Sequence, residues 1–386
     1  MKKANKYLKT VVLCSTILVG GLQIPTVSYA ATNQKSVAPQ GDAKLLQEFQ
    51  QEIKKRINNR EGNITVTYKT KSKNIKDVMN TLVKEYDKVV NSDEYLKFNI
   101  ASTNYSISGV PGNYTFILNI KYRESKQQTQ YVKTQAKSII KSTVKPGMDG
   151  HEKVKVIHDY VVKHVSYDTS YKAYTAYEAL ANRSAVCQGY ALLTYQLLKE
   201  AGIESRIVTG TGNGQAHAWN LVKIEGKWYH LDTTFDDPIP DKPGRVNYSY
   251  FNMSDEQLGK DHKWDRSKYP KASTFYYNEL TNKIKVGGPK KAIYQKLLKD
   301  TNLIYLSAQY KADNYNDFKK KIQQQFTSKP QKVEVLYKKS MDGTMQDVQK
   351  VLNEISWPKG AKRVSYQIEP YNAQKGYSLA AITFTY

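Results

Sequence analysis

The sequence predicts an α+β protein in which a central domain lies between two small α/β modules. Three observations predict this class. The chain has 386 residues, enough for two or three domains. Helical and strand periodicities follow one another in the same order at both ends of the chain. Between them, two helix patterns precede the signal of a two-stranded hairpin. A composition of 40% hydrophobic and 24% charged residues is typical of a globular protein and excludes a wholly disordered chain.

Residues 1–30 have the pattern of a secretory signal sequence. Small residues stand at the −3 and −1 positions of an expected cleavage after Ala30. The apolar run, residues 11–22, contains polar residues and glycines and is shorter than the ~20 residues that span a membrane, which disfavours an uncleaved anchor. Leu13 stands where a lipoprotein would have a small residue, so Cys14 does not indicate lipid attachment. The basic residues before the run are Lys2, Lys3, Lys6 and Lys9.

The chain is strongly basic. Lys and Arg number 59 against 35 Asp and Glu, a net charge of +24, and signal removal would leave about +20. This charge favours attachment to an anionic cell-envelope surface, and a soluble lysine-rich surface would have it equally. No zinc-finger spacing, RNA-binding aromatic motif or phosphate-binding glycine loop accompanies it, so no specific nucleic acid partner is expected. We expect a secreted, extracellular or cell-wall-associated protein with no transmembrane span after signal removal.

Two modules are predicted at the ends of the chain. Residues 31–43 predict a flexible linker. Residues 44–140 have the pattern helix, strand, helix and two strands, and residues 290–386 repeat that order. We interpret this as a diverged duplication of a binding or spacing module, and the alternative is chance agreement between two ordinary α/β patterns. The spacing agrees at the start of each module, where fifteen residues separate Phe49 from Ile64 and Phe318 from Val333.

The central domain, residues 146–286, contains the residues with chemical potential. Apolar positions predict a first helix over 151–165 and a second that ends at Gly202. Residues 206–208 predict a strand, and the glycine-rich segment 209–215 predicts a mobile loop. Apolar alternation closes the domain. His158 and His164 of the first helix are interpreted as ordinary helix residues. The apolar residues that alternate at the end of the domain are Phe275, Tyr277 and Leu280.

Cys187 is predicted to lie at the start of the second helix or one turn into it. The positive end of the helix dipole and the free backbone amides there favour the thiolate over the thiol. Removal of the signal takes Cys14 away, so Cys187 would be the single thiol of a protein in an oxidising compartment. A disulfide-stapled scaffold is therefore not expected.

A hairpin is predicted downstream, with strands at 217–224 and 227–232 joined by Glu225 and Gly226. With a two-residue loop, Trp219 lies opposite Asp232. His217 then shares the face of Trp219 and lies diagonal to Asp232, at a backbone distance of ~7–8 Å that side chains can bridge. A loop of odd length would place the two side chains on opposite faces.

Cys187, His217 and Asp232 are the parts of a cysteine nucleophile site. The imidazole would take the thiol proton and return it to a leaving group, and the carboxylate would hold the imidazole in the required tautomer. The residues alone leave a second interpretation equally open, in which the cysteine is a buried small hydrophobe and the histidine is structural.

The sequence around these residues resembles the transglutaminase-like superfamily over roughly residues 150–270. The resemblance implies a papain-like fold in which a helix bearing the cysteine packs on an antiparallel sheet, with Cys187 as nucleophile, His217 as base and acid, and Asp232 as orienting carboxylate. It departs from animal transglutaminases, since neither their oxyanion-stabilising tryptophan nor a calcium-loop motif is recognisable. The motifs are Ala185 to Tyr190, Gln215 to Asn220 with Val222, Trp228 to Thr234, Tyr250 to Met253, and His262 with Trp264.

The sequence therefore predicts a secreted thiol enzyme that acts on amide bonds of protein or cell-wall peptide. Water would resolve the Cys187 thioester in a protease or amidase, and an amine would resolve it in a crosslinking transglutaminase. We expect no cofactor and no metal ligand. The alternative is a non-catalytic cell-envelope binding or scaffold protein with a retired enzyme domain, and a nucleic-acid binder is the third option. Substrate, oligomeric state and second oxyanion donor stay open.

Overall fold

The computed structural model describes residues 13–18, 40–240, 242, 244–326 and 329–386. Its helices and strands confirm the predicted α+β class. The expected cleavage after Ala30 lies outside the described residues, as does the expected linker up to residue 39. In chain order the elements are β1 Leu13–Leu18, α1 Gln40–Asn58, β2 Asn63–Lys69, α2 Ile75–Asn91, α3 Glu94–Asn99, β3 Ile100–Val110, β4 Asn113–Tyr122, α4 Lys126–Thr143, α5 Gly150–His164, β5 Ser166–Tyr167, α6 Ala176–Ala181, β6 Ser184–Ala185, α7 Cys187–Glu200, β7 Ser205–Gly212, β8 Gln215–Ile224, β9 Lys227–Leu231, α8 Asp255–Leu258, β10 His262–Trp264, α9 Tyr276–Val286, α10 Lys291–Asp300, β11 Lys311–Ala312, α11 Tyr315–Gln324, β12 Lys332–Tyr337, α12 Met341–Glu354, β13 Arg363–Pro370 and β14 Ser378–Thr385.

The described residues form two compact units. The first comprises the chain up to Lys145 together with His164–Gly202 and Ala216–Ala218. The second comprises Pro146–Lys163, Ile203–Gln215 and Trp219–Tyr386. No helix in the described part of the chain combines the length and the apolar character that crossing a membrane requires.

The amino-terminal sheet of the first unit has the strand order β1-β3-β4-β2. Helices α1 and α2 cover it, and apolar residues at helical spacing, such as Phe49, Ile53 and Leu82, fill the core between helices and sheet. β1 lies within the expected signal sequence and pairs antiparallel with β3, from Leu13 opposite Ile107 onward.

The carboxy-terminal sheet of the second unit has the order β11-β12-β14-β13. In each four-stranded sheet the last strand of the module, β4 or β14, lies between two of the other three strands and pairs antiparallel with both. In each module a phenylalanine of one helix also contacts a tyrosine on the strand that follows it, at the same separation in the sequence. The ring centroids lie 6.4 Å apart for Phe49 and Tyr68 and 4.2 Å apart for Phe318 and Tyr337. Duplication of one ancestral module stays a prediction.

The amino-terminal module packs against the helix that begins at Cys187. Gln188 Nε2 donates to the carbonyl oxygen of Phe98 at 3.0 Å, and the buried Glu124 accepts a hydrogen bond from the backbone N–H of Tyr177 at 3.0 Å. The residues around Cys187 thus form one unit with the module and are held by it.

The central sheet has the order β10-β7-β8-β9. The expected mobile loop over 209–215 is wrong, because β7 continues to Gly212 and pairs with β10, with Gly210 opposite Trp264. A Cβ atom on Gly210 would lie 2.0 Å from the carbonyl oxygen of Lys263, so this glycine permits close backbone approach and does not indicate mobility. The turn is only Asn213 and Gly214, both at positive φ.

The end of the central region is a helix. The apolar alternation through Phe275, Tyr277 and Leu280 falls at its start, because Tyr276–Val286 form helix α9. Tyr276 and Leu280, four residues apart, are its buried apolar side chains, which is helical spacing. An alternation this short is too brief to separate the two periods.

Candidate active site

Cys187 is the first residue of α7 and is buried, with 5% of its surface exposed. It is a free thiol. Val186, the preceding residue, has an extended conformation and provides no side-chain cap. Its backbone N–H donates to the carbonyl oxygen of Ala173 at 2.8 Å. The helix therefore begins without a side-chain cap at the residue before Cys187.

Gly189, in the first turn of α7, allows the helix to begin against its neighbours. A Cβ atom on Gly189 would lie 2.6 Å from the Cβ of Ala185 and 3.0 Å from the carbonyl oxygen of Thr175. The position of Cys187 thus depends on the absence of a side chain two residues later.

His217 lies on β8 and is 5% exposed. The hairpin has the predicted two-residue turn, with Glu225 at φ 48° and Gly226 at φ 81°. Pairing runs from Ile224 opposite Lys227 to Asn220 opposite Leu231. The register from which His217 and Asp232 were inferred is confirmed. Cys187 and His217 belong to the first unit and Asp232 to the second.

Asp232 follows β9 and is fully buried. Its Oδ1 accepts the backbone N–H groups of Thr234 and Phe235, both at 3.1 Å. Its Oδ2 lies 3.1 Å from His262 Nε2, and His262 Nδ1 lies 2.5 Å from Asp261 Oδ1. An ionised carboxylate can only accept, so a ring nitrogen of His262 that bonds to one of them is the donor.

The contact of His262 with Asp232 did not follow from the sequence alone. His262 appeared there only as part of a trailing motif. It reaches Asp232 because β10 pairs with β7, with His262 opposite Gly212, a pairing between segments about fifty residues apart. The motif itself was the available signal, since a histidine and a tryptophan two residues apart on a strand share one face.

Trp219 and His230 form a second buried hydrogen-bonded pair. The indole Nε1 of Trp219 donates to His230 Nδ1 at 2.9 Å, so the other nitrogen, Nε2, carries the hydrogen and donates to Asp255 Oδ1 at 2.9 Å. Burial lowers the pKa of His230, and the contact with Asp255 opposes this only in part. A neutral, tautomerically defined imidazole therefore holds the tryptophan.

His158 fixes the segment that follows Asp232. Its Nε2 lies 3.0 Å from Asp236 Oδ2, and its Nδ1 lies 3.3 Å from Asp159 Oδ1. Burial alone would lower the pKa of His158, but hydrogen bonds to Asp159 and Asp236 outweigh it and raise the pKa. His158, expected to be an ordinary helix residue, lies buried between two carboxylates that favour its protonated form.

These features together are typical of one class of protein fold. A buried thiol begins a helix, and an antiparallel hairpin carries an imidazole on one strand and an anchored carboxylate after the other, as in the papain-like α+β fold. The family model described as the transglutaminase-like superfamily matches residues 133–233, a segment that contains Cys187, His217 and Asp232. This part of the chain belongs to the transglutaminase-like superfamily.

Individual relatives are distant. The chain is 23% identical over 180 residues to the kyphoscoliosis peptidase of Mus musculus, covering 39% of this chain and 27% of that protein. It is 24% identical over 160 residues to the kyphoscoliosis peptidase of Homo sapiens, covering 34% and 24%. The chain thus spans about a quarter of the length of these curated relatives. A crystal structure of a TGase is similar over 47% of this chain and 56% of that chain, at 14% identity and a TM-score of 0.27.

Gly189→Ala is expected to destabilise the fold by roughly 1–3 kcal/mol, because the new methyl group overlaps Ala185 and Thr175. Helix propensity alone would predict the opposite sign. The double variant Gly189→Ala/Ala185→Gly removes the shorter contact and should recover part of the loss, with Ala185→Gly as its control. Urea unfolding measures all four proteins. A Gly189→Ala protein as stable as wild type would contradict this account.

The contacts of Asp159 predict that the stability of the fold depends on pH in the acidic range. Burial would raise its pKa, but His158 and Lys155 outweigh burial and lower the pKa from 3.8 to about 2. The stability that ionised Asp159 contributes is present above pH ~4 and is lost as the pH falls through about 2, an effect of about 2 kcal/mol. In Asp159→Asn, the unfolding free energy should fall less steeply between pH 4 and 2.

The control for that measurement is Asp342→Asn, which removes one exposed carboxylate from the start of α12. Urea titrations at a series of pH values give the slopes. Equal slopes for Asp159→Asn and wild type would show that the His158 network adds no acid-dependent stability.

Proposed function

We propose that the protein is a secreted thiol enzyme that acts on amide bonds of protein or cell-wall peptide. Cys187 would be the nucleophile, His217 the base and acid, and Asp232 the carboxylate that orients His217. One observation carries the proposal: the segment that matches the transglutaminase-like superfamily contains a buried cysteine at the first position of a helix, a position at which thiol nucleophiles are commonly found.

The chemistry follows from the roles of the three residues. His217 takes the proton of the Cys187 thiol, and the sulfur attacks the amide carbonyl carbon. The carbon–nitrogen bond breaks, and the leaving amine takes the proton from His217, which leaves a thioester on Cys187. Water or a second amine then attacks the thioester carbonyl carbon and gives a proton to His217. The carbon–sulfur bond breaks, the acid or the new amide leaves, and His217 returns that proton to the Cys187 sulfur. The backbone N–H of Cys187 is our candidate for one oxyanion donor.

Hydrolysis is favoured over crosslinking. Nothing in the sequence marks a site for an acyl-accepting amine, and both curated relatives carry the name peptidase. Asp232 supports either outcome, since two backbone N–H groups hold one carboxylate oxygen and fix the orientation of the group.

The location and partners form part of the same proposal. The pattern of residues 1–30 supports secretion, and the net charge of +24 supports attachment to an anionic cell-envelope surface. The carboxy-terminal module would contribute to that attachment. The amino-terminal module has a second role, because its contacts through Phe98 and Glu124 hold the residues around Cys187.

The second candidate is a non-catalytic scaffold. The burial of all three residues favours it, since 5% of Cys187, 5% of His217 and none of Asp232 is exposed. A substrate carbonyl must reach the sulfur, so an enzyme of this fold would have to open, whereas a scaffold would not.

Alkylation rates distinguish the two candidates. Iodoacetamide should modify Cys187 at neutral pH at least about tenfold faster than free cysteine, because a base and a helix start favour the thiolate. His217→Ala should abolish the difference. His164→Ala, which changes an exposed histidine of α5, is the matched control and should react like wild type. Slow alkylation that does not depend on His217 would overturn the thiol-enzyme proposal.

The reaction type requires a substrate screen. Wild-type and Cys187→Ala proteins are incubated with a cell-envelope extract and a labelled amine, and the products are identified by mass spectrometry. Cysteine-dependent cleavage would establish hydrolysis, and cysteine-dependent incorporation of the label would establish crosslinking. Full biological activity of Cys187→Ala would establish the scaffold.

A further inference from the structure

A buried imidazole in the second unit faces two carboxylates without a hydrogen bond to either. His151, on α5, is 1% exposed, and its Nε2 has no hydrogen-bond partner among the described residues. Oε1 of Glu225 lies 3.8 Å from this nitrogen. Ligand atoms of His151, Glu225 and Glu279 all lie within 4.8 Å of one another.

Neither tautomer of His151 satisfies this nitrogen. Its Nδ1 lies 3.2 Å from the hydroxyl oxygen of Tyr276. If Nδ1 carries the hydrogen, the lone pair of Nε2 faces two carboxylates. If Nε2 carries the hydrogen, its acceptor at 3.8 Å is too distant for a hydrogen bond. A buried polar atom left in this state costs about 1–3 kcal/mol, and a cation between the three groups would remove that cost.

We propose that His151, Glu225 and Glu279 form a binding site for a divalent transition-metal ion of the zinc type. One imidazole nitrogen and one oxygen from each carboxylate supply three ligands, and water completes a tetrahedral set. An imidazole ligand favours zinc over calcium or magnesium, which prefer sites made only of oxygen. Tyr276 would accept the hydrogen of His151 Nδ1, the outer contact that metal-bound histidines commonly make.

Two lysines form ion pairs with the carboxylates of Glu225 and Glu279. Lys283 pairs with Glu225 at 2.5 Å and lies 3.9 Å from Glu279, and Lys227 pairs with Glu279 at 2.5 Å. The side chain of Lys227 is 47% exposed and that of Lys283 is 20% exposed, so both ammonium groups can move into water. Partly exposed ion pairs of this kind contribute about 0–1 kcal/mol each, far less than three metal–ligand bonds.

The site would join three elements. Glu225 lies in the turn between β8 and β9, Glu279 lies on α9, and His151 lies on α5. A bound ion would cross-link the turn of the hairpin to two helices and stabilise the strand that leads to Asp232. This role is structural and does not depend on the proposed thiol chemistry.

Zinc binding to the full chain tests the proposal. Equilibrium dialysis against zinc chloride uses the Cys187→Ala background, so that the thiol cannot bind the metal. We expect the background protein to bind one zinc ion per chain. Glu225→Gln should weaken the affinity for zinc at least about tenfold. Glu204→Gln is the matched control, because Glu204 is also exposed and paired with a lysine, Lys223, at 2.8 Å. It should bind zinc as the background does.

A second variant tests the competition. Lys283→Ala removes an ammonium group from two of the ligands, so it should bind zinc several-fold more tightly, and zinc should raise its Tm. His151→Asn should abolish both the zinc binding and the rise in Tm on adding zinc. Zinc bound elsewhere, for example at His262 and Asp232, would not respond to Glu225→Gln. The proposal fails if neither the background protein nor Lys283→Ala binds zinc, or if Glu225→Gln and His151→Asn bind it unchanged.

Discussion

The two-residue turn at Glu225 and Gly226 determines the arrangement of the central sheet. Both residues have positive φ, and the twist of such a turn matches that of the strands on either side. The turn pairs Ile224 with Lys227 and every following residue in register. A slip of one residue would rotate each side chain of one strand to the opposite face. The position of Trp219 in the core and of Asp232 at the end of β9 both depend on this register.

Buried histidines hold the segments after the hairpin. His262 contacts Asp232, His230 joins Trp219 to Asp255, and His158 lies between Asp159 and Asp236. Each imidazole has polar partners on both ring nitrogens, which fixes ring orientation as well as position. A carboxylate held in this way cannot rotate freely, and this is the condition for an orienting group in a nucleophile site.

The end modules have different surroundings although their strand orders agree. The amino-terminal module forms one unit with the Cys187 helix through hydrogen bonds at Phe98 and Glu124. It therefore supports the candidate nucleophile instead of acting only as a spacer. In the carboxy-terminal module, the stacked pair of Phe318 and Tyr337 belongs to a separate apolar core. The same module pattern thus serves two structural contexts.

The sequence by itself determined the α+β class, a helix that starts within one turn of Cys187 and the hairpin turn, because periodicity and turn chemistry act between residues close in the chain. It failed over 209–215, where glycine meant close contact with Lys263, a residue about fifty positions away. It also did not assign the contacts of His262 with Asp232 or of His158 with Asp236. Only the tertiary structure decided these, since pairing between distant segments depends on how the strands and helices pack and leaves no local pattern.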